Sequence, residues 1–559
     1  MKKVNLGFYV AAAFSGLFGV VACSSSTPTE NNPGETRQCT TNQDCENLGG
    51  EFRGRVCSAE GVCVIKDQTP IGADASDTGC VSHDQCTTSL GYPSLCPTPG
   101  GKCVQLGNER CEVIGNYKAE NRLVFGFQVN TRSADRNFVL YGESHTKEVK
   151  MAFDEIVNAF PGGVAGGKTP VAVLCNGASS MGNSDQAPIS HLLDTVDADV
   201  YFSPAYEDVV AAAKKIKEGS RRRPLYCIDC TMPVREMANS AGGDGDAIFA
   251  RFQPSVEGVG LYQHFLSEFE GRKRTGGFTG NLKVALVVWE GNYYSADAEA
   301  LRSTLRFNEK SVLENGTDFK YVVSSGLANA SWFQRLDEII QMHPDVLMFV
   351  GLDELTRGSI PYLEANWVGT KPRYIVANTV AQQQFPSVAG NNAELVSRMI
   401  GVGAPFAGAD EPIDITPLVG FLGRFYSRYP ETMGLNTPPF WAYEGIYQTL
   451  WAMAYAPETG KVTVPKFVEG LQKIGVAEGT KVSVGPASLG VLGTAPSIKL
   501  LGLFGSFAMD PLKGRPAGAV SDSSCLKLAD GTVQLIPNGV VHLTGPKLTV
   551  GTDNCPLMP

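Results

Sequence analysis

The chain has 559 residues, 43% hydrophobic and 19% charged, with a formal net charge of −10. That length holds two or three domains with sizeable cores, and the acidic balance argues against a nucleic-acid partner. The basic run Arg221-Arg222-Arg223 stands just before an apolar strand and reads as a solvated helix end. The six histidines are scattered and form no His-x-x-x-His pair, and no zinc centre is expected.

In chain order, Lys2 and Lys3 precede an apolar stretch over 6–22, too short and Gly-rich for a membrane span. This is the layout of a secretory signal. It closes on Val20-Val21-Ala22-Cys23 and so resembles a bacterial lipoprotein signal. The resemblance implies removal of 1–22, acylation of Cys23 as the mature N-terminus, and a lipid membrane as partner through that residue. Buried acyl methylenes contribute roughly 0.8 kcal/mol each, so several chains hold firmly. An ordinary signal peptide with an incidental cysteine is the alternative. Ser24, rather than an acidic residue, follows Cys23, which by the same resemblance favours the outer membrane. Residues 23–38 are rich in Ser, Thr, Asn and Pro and read as a tether.

Two similar cysteine modules come next. The first, 39–64, carries Cys39, Cys45, Cys57 and Cys63, and the second, 80–111, carries Cys80, Cys86, Cys96 and Cys103. Shared Gly-x-Cys-Val endings and like spacing mark an internal repeat. Each unit, about 25 residues, is too small to stabilise itself by apolar burial, so two disulfides apiece are expected, in a connectivity left open. Fifteen cysteines leave an even number once Cys23 is acylated, and pairing is the default outside the cytoplasm. The paired knuckles of a four-cysteine zinc site are missing. The modules resemble small extracellular units of bacterial surface lipoproteins, which implies a spacer or a protein contact.

From about residue 123 apolar runs alternate with amphipathic stretches. Strands are expected at 124–129, 171–175, 200–202 and 225–228, with helices over 147–160, 207–217 and 261–269. The alternation restarts at 283–289 and runs through helices over 296–305 and 332–342 and strands at 321–324, 346–350 and 374–377. Such units predict α/β architecture with parallel sheets covered on both faces. Two consecutive series predict two lobes, the second from near 281. Beyond 515 a β-rich tail over 516–559, with Pro537-Asn538-Gly539 as a turn signal, is bracketed by Cys525 and Cys555, expected to pair. One bridge is expected among Cys175, Cys227 and Cys230, and Cys111 is placed to tie the repeats to the core. Cys227-Ile228-Asp229-Cys230 has redox spacing but lacks the helix start and aromatic neighbour of a redox motif, so a structural bridge is expected.

Residues 120–515 resemble a type I periplasmic solute-binding protein of the branched-chain amino-acid receptor kind. The resemblance rests on Tyr141-Gly142-Glu143, the run from Ala152 to Ile156, Gly162-Gly163, Gly166-Gly167, the turns over 199–207 and 224–233, and Ile248-Phe249-Ala250-Arg251. It continues through 283–294, Pro344-Asp345-Val346, Gly351, 501–505 and Asp510. Tyr443-Glu444-Gly445-Ile446-Tyr447 has Glu and Gly where that family has Asp and Ala. The family implies two doubly wound parallel sheets with a hinge, no cofactor, no enzymatic activity, and a small polar ligand, an amino acid or related compound, passed to an ABC permease or a sensor. In such sheets ligands sit beyond the carboxyl ends of the strands, where helix N-termini offer unpaired N–H groups, and hinge closure follows. No Ser/His/Asp constellation, phosphate loop or metal cluster supports catalysis, and Gly242-Gly243-Asp244-Gly245 reads as a loop.

By position the resemblance implies ligand contacts at Tyr141, Tyr206, Glu207, Thr231, Tyr294, Asp353 and Asn378. Several have an alternative. Tyr141 equally suits a turn tyrosine packed on a helix. Tyr206 and Glu207 stand where the family has small hydroxyl-bearing residues; their bulk and charge disfavour a simple amino-acid carboxylate, and Glu207 reads better as a helix-dipole carboxylate. Thr231 suits a cap, Tyr293 could replace Tyr294, and Asp353 suits a helix N-cap. A second function is a surface lipoprotein with a repurposed fold, in which the repeats make the contacts. The extra repeats, the long tether and the altered turn from Ser203 to Glu207 give that reading weight, and the outer membrane is an awkward place from which to serve an inner-membrane importer.

Overall fold

A computed structural model describes residues 55–57 and 63–65 and, with interruptions, 79–550; the longer interruptions are 251–258, 378–387, 408–415 and 433–439. Cys23, Cys39, Cys45, Thr231, Asn378 and Cys555 lie outside the described residues. Residues 1–71 and 72–559 form separate compact units.

In the first unit β1 (Arg55–Cys57) and β2 (Cys63–Ile65) pair antiparallel, with Cys57 opposite Cys63. In the second unit the other repeat opens with α1 (His83–Leu90), whose N-terminus is capped by Ser82 Oγ accepting from the Gln85 N–H (3.2 Å). A short hairpin pairs Ser94–Leu95 with Val104–Gln105. Disulfides Cys80–Cys96 and Cys86–Cys103 fasten hairpin to helix, giving the two staples expected of so small a unit. This repeat is welded to the fold that follows. Leu95 and Leu106 are buried in the next core, and His191 Nε2 donates to the Leu106 carbonyl (2.9 Å).

The first lobe is built on β3 (Cys111–Ile114), β4 (Arg122–Val129), β5 (Thr169–Asn176), β6 (Val200–Ser203), β7 (Leu225–Cys227) and β8 (Ile248–Ala250). Their order is β8-β7-β6-β4-β5-β3, parallel except for β3 at the edge. There Cys111 lies opposite Cys175 and is disulfide-bonded to it. From Leu123 onward β4 is buried at every position, as a parallel strand covered on both faces must be. Phe125, Phe127 and Phe202 stack along it, and Phe153 of α2 (Arg136–Ala159) meets Phe125 edge-on at 5.2 Å. Each buried ring contributes roughly 1.5–3 kcal/mol. On the other side of β6 lies α3 (Tyr206–Glu218).

The second lobe begins earlier than the sequence suggests. In α4 (Val259–Thr275) Leu261, Tyr262, Phe265 and Leu266 share a core with Val284 and Leu286, so the boundary falls near 259 rather than 281. The lobe continues with β9 (Val284–Trp289), α5 (Asn292–Thr304), β10 (Phe319–Ser324), α6 (Ala330–Met342), β11 (Val346–Val350), α7 (Asp353–Asn366), β12 (Arg373–Ala377) and β13 (Met399–Val402). The order β10-β9-β11-β12-β13 is parallel throughout and repeats that of β5-β4-β6-β7-β8.

The chain then returns. Phe421 of α8 (Thr416–Arg428), Trp451 of α9 (Trp441–Tyr455) and Phe467 of α10 (Val464–Ile474) are buried in the first lobe's core. It crosses once more to add β14 (Ala519–Ala529), β15 (Thr532–Thr544) and β16 (Lys547–Val550) antiparallel to β13. The tail is therefore an extension of the second sheet. Three connections link the lobes, between 250 and 259, 402 and 416, and 503 and 519. Cys525 is disulfide-bonded; the Cys555 expected as its partner lies outside the described residues.

Two further sequence expectations are corrected. Pro537-Asn538-Gly539 is not a turn. It lies inside β15 opposite a register shift at Ser523/Ser524, because apolar alternation continues on both sides and the ladder absorbs one extra residue as a bulge. Nor is the basic run wholly solvated. Arg223 is buried, and its guanidinium donates to the Ala198 carbonyl (2.8 Å) and pairs with Asp197 at 3.1 Å. Burial, helped by neighbouring Arg221, lowers its pKa to about 10.

Candidate functional site

Strand order reverses between β4 and β6 in the first lobe and between β9 and β11 in the second. Chains leaving adjacent strands on opposite sides open a crevice at their carboxyl ends, the standard ligand position in doubly wound sheets. The carboxyl end of β4 leads to Asn130, that of β6 is Ser203, and α3 starts three residues later.

A polar network fills this end of the first lobe. Asp208, in the first turn of α3, is fully buried. Its Oδ1 accepts from Ser179 Oγ (2.6 Å) and the Asp185 N–H (3.2 Å), and its Oδ2 from Ser203 Oγ (3.1 Å) and Asn130 Nδ2 (3.4 Å). Behind it Gln128 Nε2 donates to Ser179 Oγ (3.1 Å), and Tyr201 Oη donates to Gln128 Oε1 (2.9 Å). Asp185 accepts from the Ala178 N–H (2.9 Å), pairs with Arg110 and caps the short helix Gln186–Ser190. The two acids are tuned apart. Burial raises Asp208 to about 6 against the pull of its hydrogen bonds. Asp185, although burial opposes it, is held below the usual range by the Ala178 N–H and Arg110. Asn130 Oδ1 is buried with no hydrogen-bond partner among the described residues.

The residues singled out in the sequence distribute around these ends. Tyr206 and Glu207 are buried in the first turn of α3, beside Asp208, and line a concavity of about 590 Å³ with Ser184, Gln186, Lys214 and Met237. Tyr141 is not in a turn. It lies inside α2, half-buried, with its ring stacked on Trp441 at 6.1 Å. The helix runs through the Tyr-Gly pair because a Cβ on Gly142 would sit 2.8 Å from the Asn130 carbonyl carbon, so glycine lets α2 lie against the exit of β4. Tyr294 falls in α5 and Asp353 opens α7, the helices that follow the two switch-point strands of the second lobe. Asn378 immediately follows β12 and Thr231 follows Cys230; neither is among the described residues.

Sequence reasoning missed Asn130, Ser179 and Asp208. The signal available was Ser203, a strand-end hydroxyl five residues before an acid at the third position of the next helix. It also missed what anchors α9. Glu148, buried in α2, accepts from the Ala442 N–H (2.7 Å) and Tyr443 N–H (3.2 Å), a carboxylate at a helix N-terminus. Glu155 accepts from the Tyr447 hydroxyl (2.7 Å) and Arg424 Nε (3.1 Å), and from the Tyr443 hydroxyl. Gly445 follows from Tyr226, whose ring lies 2.8 Å from where a Cβ would stand.

The cysteines near the site are disulfide-bonded. Cys227 and Cys230, at the carboxyl end of β7, are buried and bonded to each other. Cys80, Cys86 and Cys96, and Cys111 and Cys175 with His191, come within ligand distance of one another, but these thiols are committed to disulfides.

No protein-family model and no curated protein matches the chain. Similar solved structures include an ABC transporter solute-binding protein from R. palustris in complex with 4-hydroxybenzoate, at 13% identity, covering 78% of this chain and 98% of that one, with a TM-score of 0.49. A branched-chain amino acid transporter substrate-binding protein from Streptococcus pneumoniae in complex with isoleucine is similar at 14% identity over 76% of this chain and 100% of that one (TM-score 0.48). A leucine-binding protein from Thermotoga maritima is similar at 13% identity over 75% and 98% (TM-score 0.46).

Proposed function

We propose that this chain is an extracytoplasmic solute-binding lipoprotein whose two lobes close on a small polar ligand for ABC-type import or for sensing. The observation that carries this reading is architectural. Two sheets of the same strand order each present a switch point, and three connections join them, the arrangement in which a hinge brings two half-sites onto one ligand. Tyr206 and Glu207 on one lobe and Tyr294 and Asp353 on the other are the proposed contacts, with Tyr141, Thr231 and Asn378 around them. The anchor is Cys23, with the outer membrane as the favoured location. Among the described residues no helix is long and apolar enough to cross a membrane.

The experiment is a thermal-shift screen of the full chain in detergent against amino acids, aromatic acids, sugars and amines. It includes isoleucine and 4-hydroxybenzoate, which two of the similar structures carry. A ligand at a hundredfold excess over its Kd stabilises by about 2.7 kcal/mol, an easily read shift. Silence across every class would contradict the reading. For the anchor, Cys23→Ser is expected to release the protein from membranes, and retention would exclude acylation as its basis.

One observation favours a second reading, a surface-interaction protein with a repurposed fold. The donors at the first lobe's switch point are already satisfied by Asp208. Under that reading the screen is silent.

A further inference from the structure

Four donors converge on one carboxylate at the switch point of the first lobe: the hydroxyls of Ser179 and Ser203, the Asn130 amide and the Asp185 N–H. They come from separate segments, after β4, after β5 and at the end of β6, and they meet at the positive end of α3. Such a convergence is what an anion site requires. Here its occupant belongs to the chain. We propose that the Asp208 carboxylate permanently fills the first lobe's anion subsite, so the solutes this protein accepts present a neutral or cationic hydrogen-bond donor to that lobe rather than a carboxylate.

Two further observations support this. Among the described residues, the polar atom of the cluster that lacks a partner is an acceptor, Asn130 Oδ1, in a residue with no exposed surface. What the nest still lacks is therefore a donor, not a negative charge. Second, a ligand carboxylate brought beside Asp208 would face a like charge where water is excluded, and like charges sharing such a site are strongly disfavoured. Amines, amides and hydroxyl-rich compounds carry no such penalty. The ligand class rests on the solute-binding reading above; the occupied subsite does not.

The test is chemical rescue joined to paired ligands, on the full chain. Asp208→Ala leaves the two hydroxyls and the Asn130 amide without their acceptor, while the Asp185 N–H keeps Ser179 Oγ, and its melting midpoint is expected at least about 4 °C below the wild type. Sodium formate, a carboxylate small enough for the vacated space, is expected to raise that midpoint with concentration, while the wild type and Asp208→Asn show only a common salt effect. Asp208→Ser replaces the alanine variant if that one does not fold. Equal formate responses in all three proteins would overturn the proposal. In the second arm the wild type is titrated with isoleucine against isoleucinamide and with 4-hydroxybenzoate against 4-hydroxybenzamide. The amide of a pair, or an amine or sugar from the screen, is expected to bind at least as well as the acid. A carboxylate bound tenfold more tightly than its amide would overturn the proposal while leaving the receptor reading intact. Formate rescue with no solute bound by the wild type would retain the occupied subsite and overturn the receptor reading instead.

Discussion

The first lobe and the second are wound in the same order, yet they are finished differently. In the first, two buried disulfides, Cys111–Cys175 and Cys227–Cys230, lie at or near strand ends, and the core runs on from the sheet through α9 and α10. Its switch point is closed by Asp208 and the donors around it. In the second, the sheet separates two distinct cores, one around Leu336, Phe349 and Tyr374 and the other around Leu261, Leu286 and Met348. Sheet topology places a crevice but does not decide what fills it. That is settled by a few side chains in the first turns of the following helices, and there the first lobe supplies an acid of its own.

The sharpest way to break this contrast is through α9, which belongs to the first lobe alone. Trp451→Ala empties a fully buried site and is expected to cost about 4 kcal/mol. Urea unfolding followed by near-ultraviolet signals should show the loss in the first lobe's transition, and an unchanged midpoint would mean that α9 is not part of that core. Next in size is the edge staple. Replacing Cys111 and Cys175 together by Ser is expected to cost about 3 kcal/mol. A loss within measurement error would remove the claim that the first lobe is the reinforced one.

Asp208 gives the third effect, and its sign follows from the direction of its shift. A carboxyl raised in the folded protein to about 6 from a reference of 3.8 binds its proton more tightly when folded. Its contribution to stability is therefore fully present below pH ~4 and is lost as pH rises through about 6, by up to about 3 kcal/mol. Measured at intervals from pH 4 to 7, the wild type should lose stability across that window relative to Asp208→Asn. Parallel profiles would place the Asp208 carboxyl in contact with water. The smallest test changes no residue. In the second repeat the bonds run first to third and second to fourth cysteine, and Cys57 faces Cys63 in the first. Peptide mapping of the native chain is expected to give Cys39–Cys57 and Cys45–Cys63, and a Cys57–Cys63 bridge would show that the modules are not equivalent.

How much of this was legible depended on range along the chain. Strands such as β4, β5 and β11 were readable because a covered parallel strand is a continuous apolar run, and 346–350 was bounded to the residue. The second lobe's start was missed because α4 reads as one more helix of the first series; which core Leu261 and Phe265 join is a long-range fact. The return of 416–503 was illegible for the same reason. At the site, periodicity started a helix at Glu207 and the resemblance singled out Tyr206 and Glu207, but nothing pointed to Asp208, since Ser179 and Asn130 are 29 and 78 residues away from it in sequence. Tyr141-Gly142 was read as a turn through the family resemblance, whereas here Gly142 lies within α2 and permits a close approach.

The central claim, that two lobes close on a solute, is tested most directly by small-angle X-ray scattering of the full chain with and without a saturating hit from the screen. A smaller radius of gyration is expected in the bound state, with a hit drawn from the amines, amides or hydroxyl-rich compounds. A bound ligand that leaves the radius unchanged would contradict it.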